Sequence, residues 1–183
     1  MMTLCLILSA CGAGGAGETE SGAEAVREAY QTMTGCEMTA EVAWDQAGSL
    51  WETSVQCTYV PDGETTVEVL APESIAGITA RADRNMAYVT FDDTQIGFAP
   101  LAGGMLAPLA APYVLGQCWA GEYIDCTGAE DGCLRTTYRM GYDEQELVVD
   151  TWFSREPLAP VRAEISFDGT LILSASISDF VLQ

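Results

Sequence analysis

The feature that most constrains this chain is a period of two that begins at Cys36. Along Cys36-Glu-Met-Thr-Ala-Glu-Val-Ala-Trp44 the even positions are Cys36, Met38, Ala40, Val42 and Trp44, while Glu37, Thr39 and Glu41 occupy odd ones. Along Trp51-Glu-Thr-Ser-Val-Gln-Cys-Thr-Tyr59 the odd positions are Trp51, Thr53, Val55, Cys57 and Tyr59, with Glu52, Ser54 and Gln56 between them. Successive strand residues point to opposite faces, so each segment is a strand with one buried and one wet face. Asp45-Gln-Ala-Gly48 reads as the turn between them. If Trp44 faces Ser49, Val42 lies beside Trp51, Met38 beside Val55, and Cys36 directly opposite Cys57. Opposed non-hydrogen-bonded positions fall inside the disulfide range. Cys36 and Cys57 are therefore either a bridge or two buried thiols, the bridge being favoured if the chain is exported.

The alternation recurs through the rest of the chain. Glu64–Leu70 follows the turn Pro61-Asp62-Gly63. Ile75–Ala82 and Met86–Phe91 read as a hairpin around Asp83-Arg84-Asn85, with a short strand at Gln95–Phe98. After position 121, Glu122–Thr127, Cys133–Met140, Glu146–Ser154, Val161–Phe167 and Leu171–Leu182 alternate again, joined by Gly-, Asp- and Pro-containing connectors. That makes about ten strands in a meander. Two segments depart from it. Ala23–Met33 places Val26, Ala29, Tyr30 and Met33 at helical spacing and ends at Gly35. Leu101–Leu115 is apolar throughout, and Pro108 and Pro112 forbid one long helix there, predicting short helical pieces or a buried loop. The fold class is α+β, mostly antiparallel β.

The charge balance narrows what such a fold can do. The 183 residues carry 27 Asp and Glu against seven basic residues, a net charge of −20. Those seven are all Arg, and the chain contains no His. Without imidazole or lysine, Ser-His-Asp, Cys-His and Schiff-base catalysis are unavailable, which predicts no enzyme, no cofactor and no His-dependent metal site. Such a surface repels nucleic acid and anionic lipid alike. Asp92-Asp93 with Glu64 or Glu68 offers oxygen ligands for calcium, but no segment has the spacing of a calcium loop. A solvated acidic face is the expectation.

The N-terminus gives the cell address. Leu4-Cys-Leu-Ile-Leu8 is a short apolar run leading into Leu8-Ser-Ala-Cys11, the form of an export signal that ends in small residues. The tetrad resembles the lipobox of bacterial lipoproteins, which implies a signal peptide at 1–10, cleavage before Cys11, and a lipid on its sulfur. The run is short and no Lys or Arg precedes it, which predicts further residues upstream. Residues 11–22, rich in Gly, Ala and Glu, read as a lipidated Cys with a flexible tether. Residues 23–183 then form one domain on the extracytoplasmic face of a membrane, held there by acyl chains worth about 0.8 kcal/mol per buried methylene.

The order of elements resembles the LolA/LolB-type lipoprotein carriers, in which a curved, incomplete barrel wraps around helices. The segments that carry the resemblance are Val67-Glu-Val-Leu-Ala-Pro-Glu73 with Gly77-Ile78, Thr151-Trp-Phe153, and Ala163-Glu-Ile165 with Asp168-Gly169. It is similar also to exported lipoproteins sharing that fold. The resemblance implies an apolar cavity for acyl chains, with Met105, Leu106, Leu109, Tyr113 and Trp119 lining it beneath a movable insert. The residues themselves admit a second reading, an insert that plugs the concave side of the sheet as core. No arginine here matches the one lining the carriers' cavity, so lipoprotein transfer itself is not implied. The expected function is non-catalytic binding of a lipid or acyl chain, or docking of an exported protein by a domain with a self-filled core. Cys126 and Cys133 flank Gly128–Gly132 and could bridge in an opposed register. Cys118 could equally take either one.

Overall fold

The structure, a computed structural model, describes residues 15–183 apart from 47, 84–85, 92–93, 99–100, 103–104, 107, 122 and 142–145. The side chains of 15–20, 46, 98, 101–102 and 105–106 also lie outside the description. The signal segment, Cys11 and the Asp92-Asp93 pair are therefore outside the described residues.

Helix α1 (Gly15–Gln31) leads into β1 (Cys36–Gln46), β2 (Ser49–Tyr59), β3 (Thr65–Ala71), β4 (Thr79–Ala82), β5 (Ala87–Phe91) and β6 (Thr94–Phe98). Two short strands, β7 (Leu101–Ala102) and β8 (Met105–Leu106), pair with each other. A 3-10 turn (Pro108–Ala110) and α2 (Ala111–Ala120) follow. The chain closes with β9 (Cys126–Glu130), β10 (Cys133–Met140), β11 (Leu147–Arg155), β12 (Leu158–Phe167) and β13 (Thr170–Leu182). Among the described residues eleven strands form one open, curved sheet in the order β6-β5-β4-β3-β2-β1-β13-β12-β11-β10-β9. Each half is a meander of adjacent antiparallel strands. The halves join where β1 meets β13, from Cys36 opposite Leu182 to Trp44 opposite Leu173. A bulge with Asp179 at φ 49° bends β13 there. Gln183 N–H donates to Gly35 O and its carbonyl accepts from Thr34 N–H, so the C-terminus is stapled to the entry of β1.

The period of two sets which face is buried. Cys36, Met38, Ala40 and Val42 of β1, Val55, Cys57 and Tyr59 of β2, and Val67 and Val69 of β3 all point inward. On the other side of the seam Leu134, Val149, Phe153, Ile165 and Leu173 do the same. Both helices lie against this face. Val26, Tyr30 and Met33 of α1 are buried, as their spacing predicts. Helix α1 begins earlier than expected and takes in the end of the segment read as a tether. Gly22 shows why a small residue suits it: a Cβ there would lie 3.0 Å from the Leu134 methyls, so the helix sits close on β10. Helix α2 starts where Pro112 fits its first turn and runs on to Ala120, bringing Trp119 inside.

Three expectations are corrected. The β1–β2 ladder runs on to Gln46 opposite Ser49, so Cys36 faces Tyr59, Met38 faces Cys57, and Trp44 faces Trp51. The register is two residues away from the expected one. Cys36 and Cys57 thus become diagonal neighbours, typically about 7–8 Å apart and past the usual disulfide span of about 4.4–6.8 Å. Cys126 lies opposite Thr137 while Cys133 lies opposite Glu130, so the bridge across that turn has no opposed register either. All five described cysteines are free thiols. Finally, the strand expected from Ile75 begins only at Thr79. Pro72–Gly77 turns instead, with Gly77 at φ 85°, a conformation glycine adopts freely.

Candidate functional site

The concave side of the sheet is where the resemblance implies a cavity, and most of it is filled. Tyr30 from α1, Trp119 from α2, Phe153 from β11 and Phe180 from β13 pack with ring centroids 5.3–6.3 Å apart, mostly edge to face. The polar atoms of Tyr30 and Trp119 are satisfied: Tyr30 OH donates to Leu158 O, and Trp119 Nε1 donates to Thr151 Oγ1 at 3.0 Å. Tyr113 is also buried. Of the five residues expected to line a ligand cavity, Tyr113 and Trp119 therefore belong to the packed interior, and the side chains of Met105 and Leu106 lie outside the described residues.

The fifth, Leu109, leads to an opening. At the end of the β1–β2 hairpin the inward face runs past the helices and leaves an apolar cleft of about 140 Å³. Its floor and walls come from Val42, Trp44, Trp51 and Val69, with Ile75 and Ile78 on one side and Pro108 and Leu109 as its cap. Trp44 and Trp51 are directly opposed across the ladder, and Trp51 is 62% exposed. Glu52 stands at the edge. The sequence shows Trp44, Trp51, Val42 and Val69 only as members of an inward face. Ile75 and Ile78 read as strand, and the turn at Pro72–Gly77 converts them into cleft wall. The clue was there in the two tryptophans closing one hairpin.

Two larger hollows are polar. One, of about 340 Å³, lies between α1 and the approach to β9, against Glu24, Arg27, Asp125 and Thr127. The other, of about 360 Å³, runs over the outer face of β2–β4 along Gln56, Thr58, Thr66, Glu68, Thr79 and Arg81. The outer face of β10–β12 carries an ion-pair ladder. Arg135 pairs with Asp150 and Glu130, Arg139 with Asp125 and Glu146, and Arg162 with Glu164. Trp152 lies between Arg135 and Arg162 in register, with their guanidinium carbons 5.2 and 4.3 Å from its ring centre.

Among the described residues the three buried thiols are held in their protonated form. Burial pushes the Cys36 thiol up to about 12, helped by the charge of Glu37, and burial alone takes Cys118 up to about 12. Cys57 is pushed up further, by burial first and by Cys36 second. The nucleophile is the thiolate, and at neutral pH these three are thiols. No group of three or more Cys, Asp and Glu stands ready for a metal among the described residues. No helix among them is long and apolar enough to cross a membrane. The cleft can hold an apolar group.

No protein-family model matches the chain, and comparison with curated proteins finds no relative. Solved structures do match in shape. A DUF1329 family protein from Desulfovibrio piger superposes with a TM-score of 0.50 at 10% identity, over 90% of this chain and 93% of that one. A LolA superfamily protein from Nitrosomonas europaea (TM-score 0.46, 10% identity, 88% and 93% covered) is also similar. So is the lipoprotein LppX from Mycobacterium tuberculosis (0.45, 11%, 90% and 96%). An open, curved antiparallel sheet with its helices against the inner face is the arrangement of this chain, and the likeness to the Desulfovibrio piger protein is one of fold.

Proposed function

We propose that the protein is a lipid-anchored, extracytoplasmic binding protein that holds a hydrophobic group, without catalysis, in the cleft at the Trp44–Trp51 hairpin. The observation that carries this reading is the cleft: almost wholly apolar walls and a largely exposed tryptophan at its mouth. Ligand sites are concave and predominantly apolar. Its size limits the occupant. Small-molecule pockets start at roughly 300 Å³, so about 140 Å³ takes the end of one acyl chain or one apolar side chain, not a whole lipid. The lipobox tetrad at Leu8–Cys11 supplies the anchor. The filled interior around Trp119 supports a second reading, protein docking with a self-filled core, in which the same cleft receives a side chain.

The test begins with the domain exported, purified without detergent and weighed by native mass spectrometry. Octyl glucoside, kept below its micellar concentration, then serves as a neutral alkyl probe of tryptophan fluorescence. Saturable quenching that Trp51→Ala or Leu109→Asp abolishes, with urea unfolding of the variants unchanged, supports the cleft. No co-purifying mass and no saturable response overturns it. For the anchor, Cys11→Ser is expected to release the protein from the membrane fraction; retention there would remove lipidation from the account.

A further inference from the structure

We propose that the occupant of the cleft is a basic segment of another polypeptide, which inserts one aliphatic side chain beside the Trp44–Trp51 pair. The proposal rests on the reading of the cleft as a binding site and goes beyond it in naming the partner's chemistry. Size speaks first. A water molecule's share of liquid volume is roughly 30 Å³, so about 140 Å³ holds some five water-sized groups, the bulk of one Leu, Ile or Met side chain. Charge speaks second. Between Arg27 and Arg81 the sequence contains no basic residue and nine carboxylates. All of β1, β2 and β3, and the turn that supplies Ile75 and Ile78, lie inside that stretch. Glu52 stands at the cleft, Asp45 follows Trp44, and Glu73 lies two residues before Ile75, all exposed.

A partner approaching this face therefore meets negative charge alone from the elements that build it. A second copy, itself at −20, and an anionic bilayer are both repelled. Arg- or Lys-rich segments are drawn in, and electrostatic complementarity of this kind sets partner choice and association rate. The exposed indole of Trp51 beside an unfilled apolar recess, with Glu52 and Thr53 in its lining, has the make-up of a binding hot spot with a polar edge.

The four tryptophans provide the readout, because their indole N–H signals separate the cleft (Trp44, Trp51) from the interior (Trp119) and the outer face (Trp152). The full exported domain is titrated with the peptide RGRLRGR, its Leu-to-Ser analogue, octyl glucoside, and phosphatidylcholine vesicles. The expected result is saturable movement of the Trp44 and Trp51 signals with RGRLRGR while those of Trp119 and Trp152 stay. Binding should weaken about tenfold for the Ser analogue, and about tenfold again when salt rises from about 50 to about 500 mM. Joint replacement Glu52→Gln and Glu73→Gln should weaken it several-fold and flatten the salt dependence. Equal binding of the Ser analogue would overturn the proposal, since charge alone would then suffice. A response to octyl glucoside without one to the peptide would also overturn it, while leaving the cleft reading intact. A response to vesicles alone would replace the polypeptide with a membrane surface. Silence of Trp44 and Trp51 to every probe would remove the cleft reading as well.

Discussion

Gly116 of α2 lies flat against the ring of Tyr59: a Cβ at position 116 would stand 2.3–2.5 Å from three of its ring carbons. One residue on, Gln117 Nε2 donates to the Tyr59 hydroxyl at 2.9 Å. The helix is thus seated on β2 by a missing side chain and one hydrogen bond. Gly116→Ala should cost about 3 kcal/mol, the upper end of ordinary overpacking, read as a lowered urea midpoint. In a Tyr59→Leu background the same change should cost at least about 1 kcal/mol less, because the two sites are in contact. Additive costs would mean that α2 is not held at this point.

Trp119 and Trp152 are both almost fully buried but differently employed. The Trp119 indole donates to Thr151 and sits in the four-ring cluster, whereas Trp152 Nε1 is buried without an acceptor among the described residues. Trp119→Phe should therefore cost about 3 kcal/mol, from the emptied volume and the orphaned hydroxyl. Trp152→Phe removes an unpaired donor and keeps a ring between Arg135 and Arg162, and should cost within about 1 kcal/mol. Equal losses in urea unfolding would show that ring volume alone decides.

The residues that misled the sequence reading were those at which alternation is silent. A slip of one residue would have turned Val42 and Trp51 to solvent, but a slip of two keeps every side chain on its face. The inward face of β1 and β2 was therefore legible, and the partner of Cys36 was not. What decides it is the turn: with Gln46 paired to Ser49, only two residues remain, and Gly48 takes φ 84° while its N–H is accepted by Asp45 Oδ1. The cleft was hidden for a related reason. Val42, Trp44 and Trp51 look alike in a pattern of apolar positions, yet Val42 is buried and Trp51 is largely exposed. Leu109 enters only through the resemblance to the carriers, as one of five residues that such a fold would set around a cavity, and the alternation of the sequence says nothing of it.

Register also governs thiol chemistry. Cys126 is exposed, Cys133 is half-buried, and Cys36, Cys57 and Cys118 are buried. A brief pulse of iodoacetamide on the native domain should alkylate Cys126 first, with the three buried thiols protected until urea unfolds the chain. Peptide mass mapping reads this directly. If Cys36 and Cys57 stay unmodified in urea until a reductant is added, they are bridged, and the two-residue register is wrong.

Those buried thiols, together with the buried phenols, also fix the alkaline limit of stability. In the unfolded chain a thiol ionises near 9.0 and a tyrosine near 10.0, whereas in the fold Cys36, Cys118 and Tyr59 wait until about 12. Burial is the main cause in each case, opposed at Tyr59 by the Gln117 hydrogen bond; Cys57, Tyr30 and Tyr138 are pushed up further, again mainly by burial. The native state holds protons that the unfolded state has released, so the stabilisation is complete below pH 9 and is lost as pH rises toward 12. Each such group contributes at most about 1.4 kcal/mol per pH unit within its window. The urea midpoint should therefore fall steeply above about pH 9.5. Cys118→Ala should lower the slope by one proton, measured as stability against pH, and a slope that does not change would mean that Cys118 is already ionised in the fold.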